Sequence, residues 1–259
     1  MVSRVDFARP AFYTRFALPL QTDSKGFRDF LLQSDLEGVN VTVPFKEVAY
    51  GAVDEARGIA SNLGAVNTIV RRKDRLIGYN TDAAGFLLSL GGARFESALI
   101  LGAGGSARSV VLILKNAGLR LCIANRSREK LEFFKSMGKT TTLESLDLSG
   151  KYDLVVNATS AGLSGDLPLP PKALEALLAR SHMAVDLMYQ MHGDTAFCAL
   201  AKGITKSMDG KALLVAQAAL AFRHFYLGLD YEVALMACPC LDEVYEAFRS
   251  SFYAGQAGF

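Results

Sequence analysis

At 259 residues the chain exceeds a typical domain of about 100–150 residues, which favours two units over one. Hydrophobic residues make up 51% and charged residues 21%, enough for a sizeable buried core and too ordinary a balance for a disordered chain. The net charge of +2, with both signs scattered along the sequence, forms no basic stripe, so nucleic acid and membrane surfaces are excluded as partners and a small molecule is expected.

Met1 to Phe16 mixes charged and apolar residues without an apolar run resembling an export signal, which points to the cytoplasm. Tyr13 to Leu18 predicts a strand, Lys25 to Gln33 a helix, and Val39 to Val43 a strand closed by Pro44. Ala65 to Arg71 and Arg75 to Tyr79 read as a hairpin turning over Lys73-Asp74, after which Asn80-Thr81-Asp82 opens a helix over Ala83 to Leu90. From Ala98 to Ser207 short apolar runs alternate with helical patterns, as in a parallel sheet of βαβ units. Strands are expected at Ala98 to Leu101, Leu119 to Ala124, Asp153 to Asn157 and Met183 to Leu187. Helices are expected over Ala107 to Ala117 and Glu129 to Met137, stopped by Gly118 and Gly138.

After Met208-Asp209-Gly210 a helical tail runs from Lys211 to the end. Its longest apolar stretch, Ala212 to Phe222, is interrupted by Gln217 and falls short of the roughly 18–20 residues that span a bilayer. The expected fold class is α/β with two domains. Residues 84–209 are expected to form one domain around the parallel sheet, and a mixed α/β domain is expected from both chain ends, 1–83 and 210–259. Cys122, Cys198, Cys238 and Cys240 form no C-x-x-C pairs at zinc spacing, and with only His182, His192 and His224 beside them they read as reduced thiols, with no metal site expected.

The strand at Ala98 to Leu101 runs straight into Gly102-Ala103-Gly104-Gly105-Ser106-Ala107, a G-x-G-x-x-A segment that opens a helix. Gly102 permits a tight turn, Gly104 lets backbone approach a pyrophosphate, and Ala107 allows close helix-to-strand packing with the helix N-terminus facing the anion. The residue that grips the adenosine ribose lies about 20 residues on and is acidic when the cofactor is NAD. Here the position reads Asn125-Arg126-Ser127, where Arg126 offers a planar cationic fork for a 2′-phosphate and a face to stack on adenine. NADP(H) is the expected cofactor, which makes residues 84–209 a Rossmann-like NADP-binding domain and leaves the mixed α/β domain of both chain ends for the substrate. The competing reading makes Arg126 and Arg128 solvated loop charges.

Outside that domain, single residues say little. Lys46, at the end of Asn40-Val-Thr-Val-Pro-Phe-Lys46, is by itself a surface charge, and Asp82 a helix cap. Asn67 is likewise structural when met alone. Gln217, an amide on the apolar stripe of Leu213, Leu214, Leu220 and Ala221, needs a hydrogen-bond partner once buried.

Together, however, these segments resemble shikimate dehydrogenases in order and spacing. The resemblance is carried by Asn40 to Lys46, Ala65-Val-Asn-Thr68, Asn80-Thr81-Asp82 with Gly85, Gly102 to Ala107, Asn125-Arg126, Asn157-Ala-Thr159, Asp186 to Tyr189, and Asp209-Gly210 with Val215-Ala-Gln217. It spans about residues 13 to 250 and implies reversible reduction of 3-dehydroshikimate to shikimate with NADPH, a step in aromatic amino-acid precursor biosynthesis. The resemblance also implies Lys46 and Asp82 as the catalytic pair, with Asp82 holding the lysine in place. Thr42, Asn67, Tyr189 and Gln217 are implied as substrate contacts, and Thr159, Leu187 and Gly210 as neighbours of the nicotinamide end. It leaves a monomer or a homodimer open.

The resemblance fails ahead of Tyr13. Members of the family begin with a strand and an S-x-S-P motif whose hydroxyls bind the substrate carboxylate, and neither Ser3 nor Ser24 makes that motif. Met1 to Pro10 reads as the remnant of a helix. A true start upstream of Met1 is expected over real loss of an interior strand, which would expose sheet edges. Two alternative functions remain beside the leading one: a broader quinate/shikimate dehydrogenase able to use NAD, and a non-catalytic nucleotide-binding relative. Retention of both Lys46 and Asp82 argues against the second.

Overall fold

The computed structural model describes residues 14–227, which divide into two α/β units, one of residues 14–80 with 221–227 and the other of Thr81–Leu220. Met1 to Pro10 and the cysteines Cys238 and Cys240 lie outside the described residues.

In the first unit, helix α1 (Ser24–Gln33) starts where the Asp23 carboxylate accepts the Gly26 N–H at 2.8 Å. Phe27 and Leu31, one turn apart, share its buried face. The chain continues through β1 (Gly38–Asn40), α2 (Lys46–Ala52), β2 (Glu55–Ala56), α3 (Ile59–Leu63), β3 (Thr68–Arg72) and β4 (Arg75–Tyr79). The strands form one sheet in the order β1-β3-β4-β2, with β1 and β4 antiparallel to β3 and β2 parallel to β4. The expected hairpin is present in the register Thr68 opposite Tyr79 and Arg72 opposite Arg75, with Lys73 taking the left-handed conformation at φ 56°. Val66, Ile69 and Leu76 close a core with Phe27 and Leu31.

The second unit runs α4 (Thr81–Ser89), β5 (Ser97–Leu101), α5 (Gly105–Asn116), β6 (Arg120–Asn125), β7 (Lys139–Thr142), β8 (Leu154–Asn157), α6 (Ala161–Ser164), α7 (Pro171–Leu178), β9 (Met183–Asp186), α8 (Ala196–Ala201), β10 (Lys206–Met208) and α9 (Gly210–Leu227), the last of which enters the first unit at Ala221. All six strands are parallel, in the order β10-β9-β8-β5-β6-β7. This is the doubly wound order of a dinucleotide-binding sheet, in which the winding direction reverses between β5 and β8. Alternation along β5 sends Ala98 and Ile100 to one apolar layer and Leu99 and Leu101 to the other, so the sheet is covered on both faces.

Several expectations are corrected. No strand forms over residues 14–18, where Phe16 is exposed and meets Phe30 edge-on at 5.6 Å. The segment expected as an α-helix over Glu129 to Met137 is a 3-10 helix over Glu129–Phe134, because its buried pair Leu131 and Phe134 is three apart, the spacing that 3-10 geometry aligns. Asp82 lies inside the first turn of α4 and not at its cap, and Lys46 is the first residue of α2. Helix α9 begins at the expected division of 209/210 and is shared between the two compact units, which part between Leu220 and Ala221. Cys122 and Cys198 are buried free thiols, and burial pushes the Cys198 thiol up to about 11.

One part-buried side-chain contact fastens the start of β5. Asp153 Oδ2 accepts from the Glu96 N–H (2.8 Å), the Ser97 N–H (3.0 Å) and the Ser97 hydroxyl (3.2 Å). The Glu96 N–H is the main cause that holds the Asp153 carboxyl below its ordinary range, against partial burial. Asp153→Ala is expected to cost about 1–3 kcal/mol in denaturant unfolding at neutral pH. Because the folded pKa is depressed, the parent's margin over the variant is full above the ordinary carboxylate value and is lost as pH falls through the lower folded value. A margin that is unchanged at acid pH would contradict this assignment.

Candidate active site

The glycine-rich turn leaves β5 at its carboxyl end, beside the point where the sheet reverses direction. Gly102 adopts φ +116°, and a Cβ there would meet the Ala158 carbonyl carbon at 2.8 Å, so both the conformation and the space require glycine. Gly104 and Gly105 differ: a Cβ on either would enter open space, and both are exposed together with Ser106. The cradle above the first turn of α5 is therefore open to an anion, and the first amides of a helix have no partner within it. Ala103 and Ala107 are buried beneath the turn, which supplies the close helix packing expected of the sixth motif position. These residues fit a dinucleotide pyrophosphate.

At the end of the neighbouring β6, the Asn125 side chain donates from Nδ2 to the Ser127 carbonyl at 2.9 Å and shapes the loop that carries Arg126 outward into solvent. Arg128 lines a cavity of about 300 Å³ beyond that loop with Lys135, Thr140 and Ser145.

The ends of β8 and β9 carry a connected polar network. Asp186, fully buried, accepts at Oδ1 from the Asn157 amide (3.1 Å) and the Met188 N–H (3.0 Å), and at Oδ2 from the Thr195 hydroxyl (2.7 Å). Asn157 Oδ1 in turn accepts from both the N–H (3.2 Å) and the hydroxyl (2.7 Å) of Thr159. Burial pushes the Asp186 carboxyl up, opposed by its three hydrogen bonds and reinforced by the Asp209 carboxylate. The Gly210 N–H donates to the Met188 carbonyl at 3.0 Å, and a side chain on Gly210 would run into the Leu187 carbonyl oxygen. Thr159, Leu187 and Gly210 thus belong to one cluster of strand and helix ends, with Tyr189 following at the surface, 37% exposed.

Helices α4 and α9 cross closely in the same unit. A Cβ on Gly85 would meet the Gln217 backbone nitrogen at 2.8 Å. Gln217 gains the partners its apolar surroundings require: its amide Nε2 donates to the Leu214 carbonyl (3.1 Å), and Thr81 Oγ1 donates to its Oε1 (3.4 Å). Gly-to-Ala in a helix ordinarily gains about 0.5–1 kcal/mol. Here backbone atoms stand in the way, so Gly85→Ala should instead lose about 1–3 kcal/mol. Thermal unfolding decides the sign, and a stabilised variant would refute the close crossing.

In the first unit, Thr42, Lys46 and Asn67 are tied through their backbones. The Val41 N–H donates to the Asn67 carbonyl (2.7 Å), the Val66 N–H to the Lys46 carbonyl (2.9 Å), and the Phe45 N–H to the Thr42 carbonyl (3.0 Å) across the cis Val43–Pro44 peptide. Asn67 is buried and its Oδ1 accepts from the Thr68 hydroxyl at 3.0 Å, whereas Thr42 is exposed and Lys46 half-buried. Lys46 belongs to this unit, and Asp82 to the other, where it is half-buried.

The model of the shikimate dehydrogenase substrate binding domain matches residues 7–69. A shikimate dehydrogenase (NADP(+)) of Helicobacter pylori strain G27 is 44% identical over 214 residues, covering 82% of this chain and 79% of that protein. The chain belongs to the shikimate dehydrogenase family. The shikimate dehydrogenase (NADP(+)) of Helicobacter hepaticus is 39% identical over 218 residues, covering 83% of this chain and 80% of that relative. Among solved structures, shikimate 5-dehydrogenase from Thermus thermophilus, in complex with NADP(H) and shikimate, superposes with a TM-score of 0.69 at 32% identity, covering 90% of this chain and 85% of that one.

For a shikimate dehydrogenase, the residues that sequence reasoning passed over are Asp186, Asn157 and Thr195. The first two stood within matched segments without a role, and Thr195 lay outside them. The usable signal was the buried polarity of Asn157 and Asp186, each closing a strand of apolar residues and each needing partners once buried.

Proposed function

We propose that this chain catalyses the reversible NADPH-dependent reduction of 3-dehydroshikimate to shikimate, an oxidoreductase step in aromatic amino-acid precursor biosynthesis. The observation that carries this reading is the 44% identity to an NADP(+)-named relative over 82% of the chain. The open glycine cradle at the switch point of the sheet supports it. In the proposed division, residues 84–209 form the NADP-binding domain, and 1–83 with 210–259 form the substrate domain.

Gly102, Ala103, Gly104, Gly105, Ser106 and Ala107 hold the pyrophosphate. Asn125, Arg126 and Ser127 hold the phosphorylated ribose, and Thr159, Leu187 and Gly210 the nicotinamide end. When bound, NADPH supplies the hydride that reduces the ketone. Lys46 stabilises the negative charge that develops on the reacting oxygen and donates the proton that completes the alcohol, while Asp82 takes the neighbouring hydroxyl. Thr42, Asn67, Tyr189 and Gln217 fix the remaining polar groups of the substrate, which has few apolar handles.

No helix among the described residues is long and apolar enough to cross a membrane. We infer a cytoplasmic enzyme, monomeric or homodimeric, that acts on small molecules without nucleic acid, membrane or metal. Appearance of NADPH absorbance on mixing the chain with shikimate and NADP+ is the expected result. No signal between neutral and alkaline pH would overturn the catalytic reading, and equal rates with NAD+ or with quinate would replace it with a broader dehydrogenase.

A further inference from the structure

The network below the proposed nicotinamide site has a fixed direction. Asp186 Oδ1 accepts from the Met188 N–H and, as a carboxylate, accepts also from the atom of Asn157 that faces it, the donor Nδ2. The other end of the same amide imposes the same orientation independently. The Thr159 N–H can only donate, so the atom of Asn157 that faces it must be Oδ1. The Thr159 hydroxyl, 2.7 Å from that Oδ1, has one proton and gives it inward, and it also receives the Ala161 N–H at 3.3 Å. What remains to it is an acceptor lone pair. The carboxylate is held in turn by the Thr195 hydroxyl, which also accepts the Cys198 N–H (3.2 Å) at the start of α8.

We propose that Asp186 is a positioning residue that acts through Asn157 to commit the Thr159 hydroxyl proton inward, so that Thr159 meets the nicotinamide end as a hydrogen-bond acceptor selective for a carboxamide NH2. The proposal rests on the reading that Thr159 and Leu187 adjoin that end of the cofactor. An acceptor matches the amide of nicotinamide and repels the carboxylate of nicotinic acid. The chain therefore discriminates between two dinucleotides that differ in that one group. The same carboxylate fixes the Met188 N–H, so a single buried group holds the segments after β8 and β9 together.

The test measures the affinity of the full chain for three ligands by fluorescence or calorimetry, without turnover. They are NADP+, its analogue with nicotinic acid in place of nicotinamide, and 2′-phospho-ADP-ribose, which has neither ring. The parent should prefer NADP+ over the acid analogue by roughly tenfold or more, the size of one hydrogen bond lost. In Asn157→Leu the relay is cut and the Thr159 hydroxyl can rotate outward to donate, so this preference should collapse. Affinity for 2′-phospho-ADP-ribose should stay at the parent value, which also shows that the unit has folded. Asp186→Ala is the second variant: the Thr159 N–H still favours the same amide orientation, so the preference should narrow without collapsing.

A preference that survives undiminished in either folded variant, or one that is absent from the parent, overturns the proposal. A parent that binds NADP+ no more tightly than 2′-phospho-ADP-ribose overturns the placement of the nicotinamide end itself, and the proposal with it. Loss of all three ligands in step, in a variant that still unfolds cooperatively, assigns the network a structural role alone and overturns the proposal as well.

Discussion

Lys46→Ala should turn over shikimate roughly 10²–10⁴ times more slowly than the parent, with little change in substrate affinity. Reduction of a ketone creates an alkoxide, and a nearby cation that can also give up a proton lowers the barrier most where that charge is largest. An interaction that grows towards the transition state appears in kcat and not in KM. The position is built to be held. Lys46 opens α2, and its carbonyl accepts the Val66 N–H at 2.9 Å, so the residue is anchored to the segment that carries Asn67. Steady-state kinetics in both directions checks the prediction. A proportional rise in KM with kcat intact would make Lys46 a binding residue and move the protonation step elsewhere.

How much of this was legible in the sequence depends on how local each feature is. The β5–turn–α5 unit was readable because every constraint lies within neighbouring residues: a buried strand, a glycine at positive φ, open glycines and a small residue under the helix. Strand β7 was invisible because Lys139–Thr142 contains no apolar residue and takes its conformation from pairing with β6. Strand β10 has three residues, too few to show a period. The need of Gln217 for a partner was legible from its apolar stripe, but the partner, Thr81, lies 136 positions away and only the fold brings it close. The same holds for Asp186, whose donors come from residues 157, 188 and 195. The family resemblance supplied roles for residues that patterning alone leaves as a surface lysine and a helix cap. It could not supply the direction of the hydrogen bonds beneath Thr159, because that direction is set by which groups can only donate.

Arg126→Ala should weaken NADP+ binding by roughly ten- to a hundredfold and leave NAD+ nearly untouched, the loss expected for about 1.5–3 kcal/mol of charged hydrogen bonding. The loop after β6 carries no acidic residue at 125–127, where an NAD-dependent sheet would place its ribose-binding carboxylate. Its cation stands in solvent on a turn shaped by the bond from Asn125 to the Ser127 carbonyl. Exposure makes the interaction sensitive to salt, so the difference between parent and variant should narrow as ionic strength rises. Comparing the two cofactors separates the two jobs a guanidinium can do here. Stacking on adenine contributes equally to NADP+ and NAD+, whereas pairing with a 2′-phosphate contributes only to the first. A loss shared by both cofactors would leave Arg126 as a stacking residue and return the choice of NADP to other groups near the loop, of which Arg128 is the first to test. Arg126→Asp carries the argument one step further. A carboxylate repels the 2′-phosphate and accepts from a free ribose hydroxyl, so this variant should bind NAD+ more tightly than NADP+ if the phosphate is read at this position.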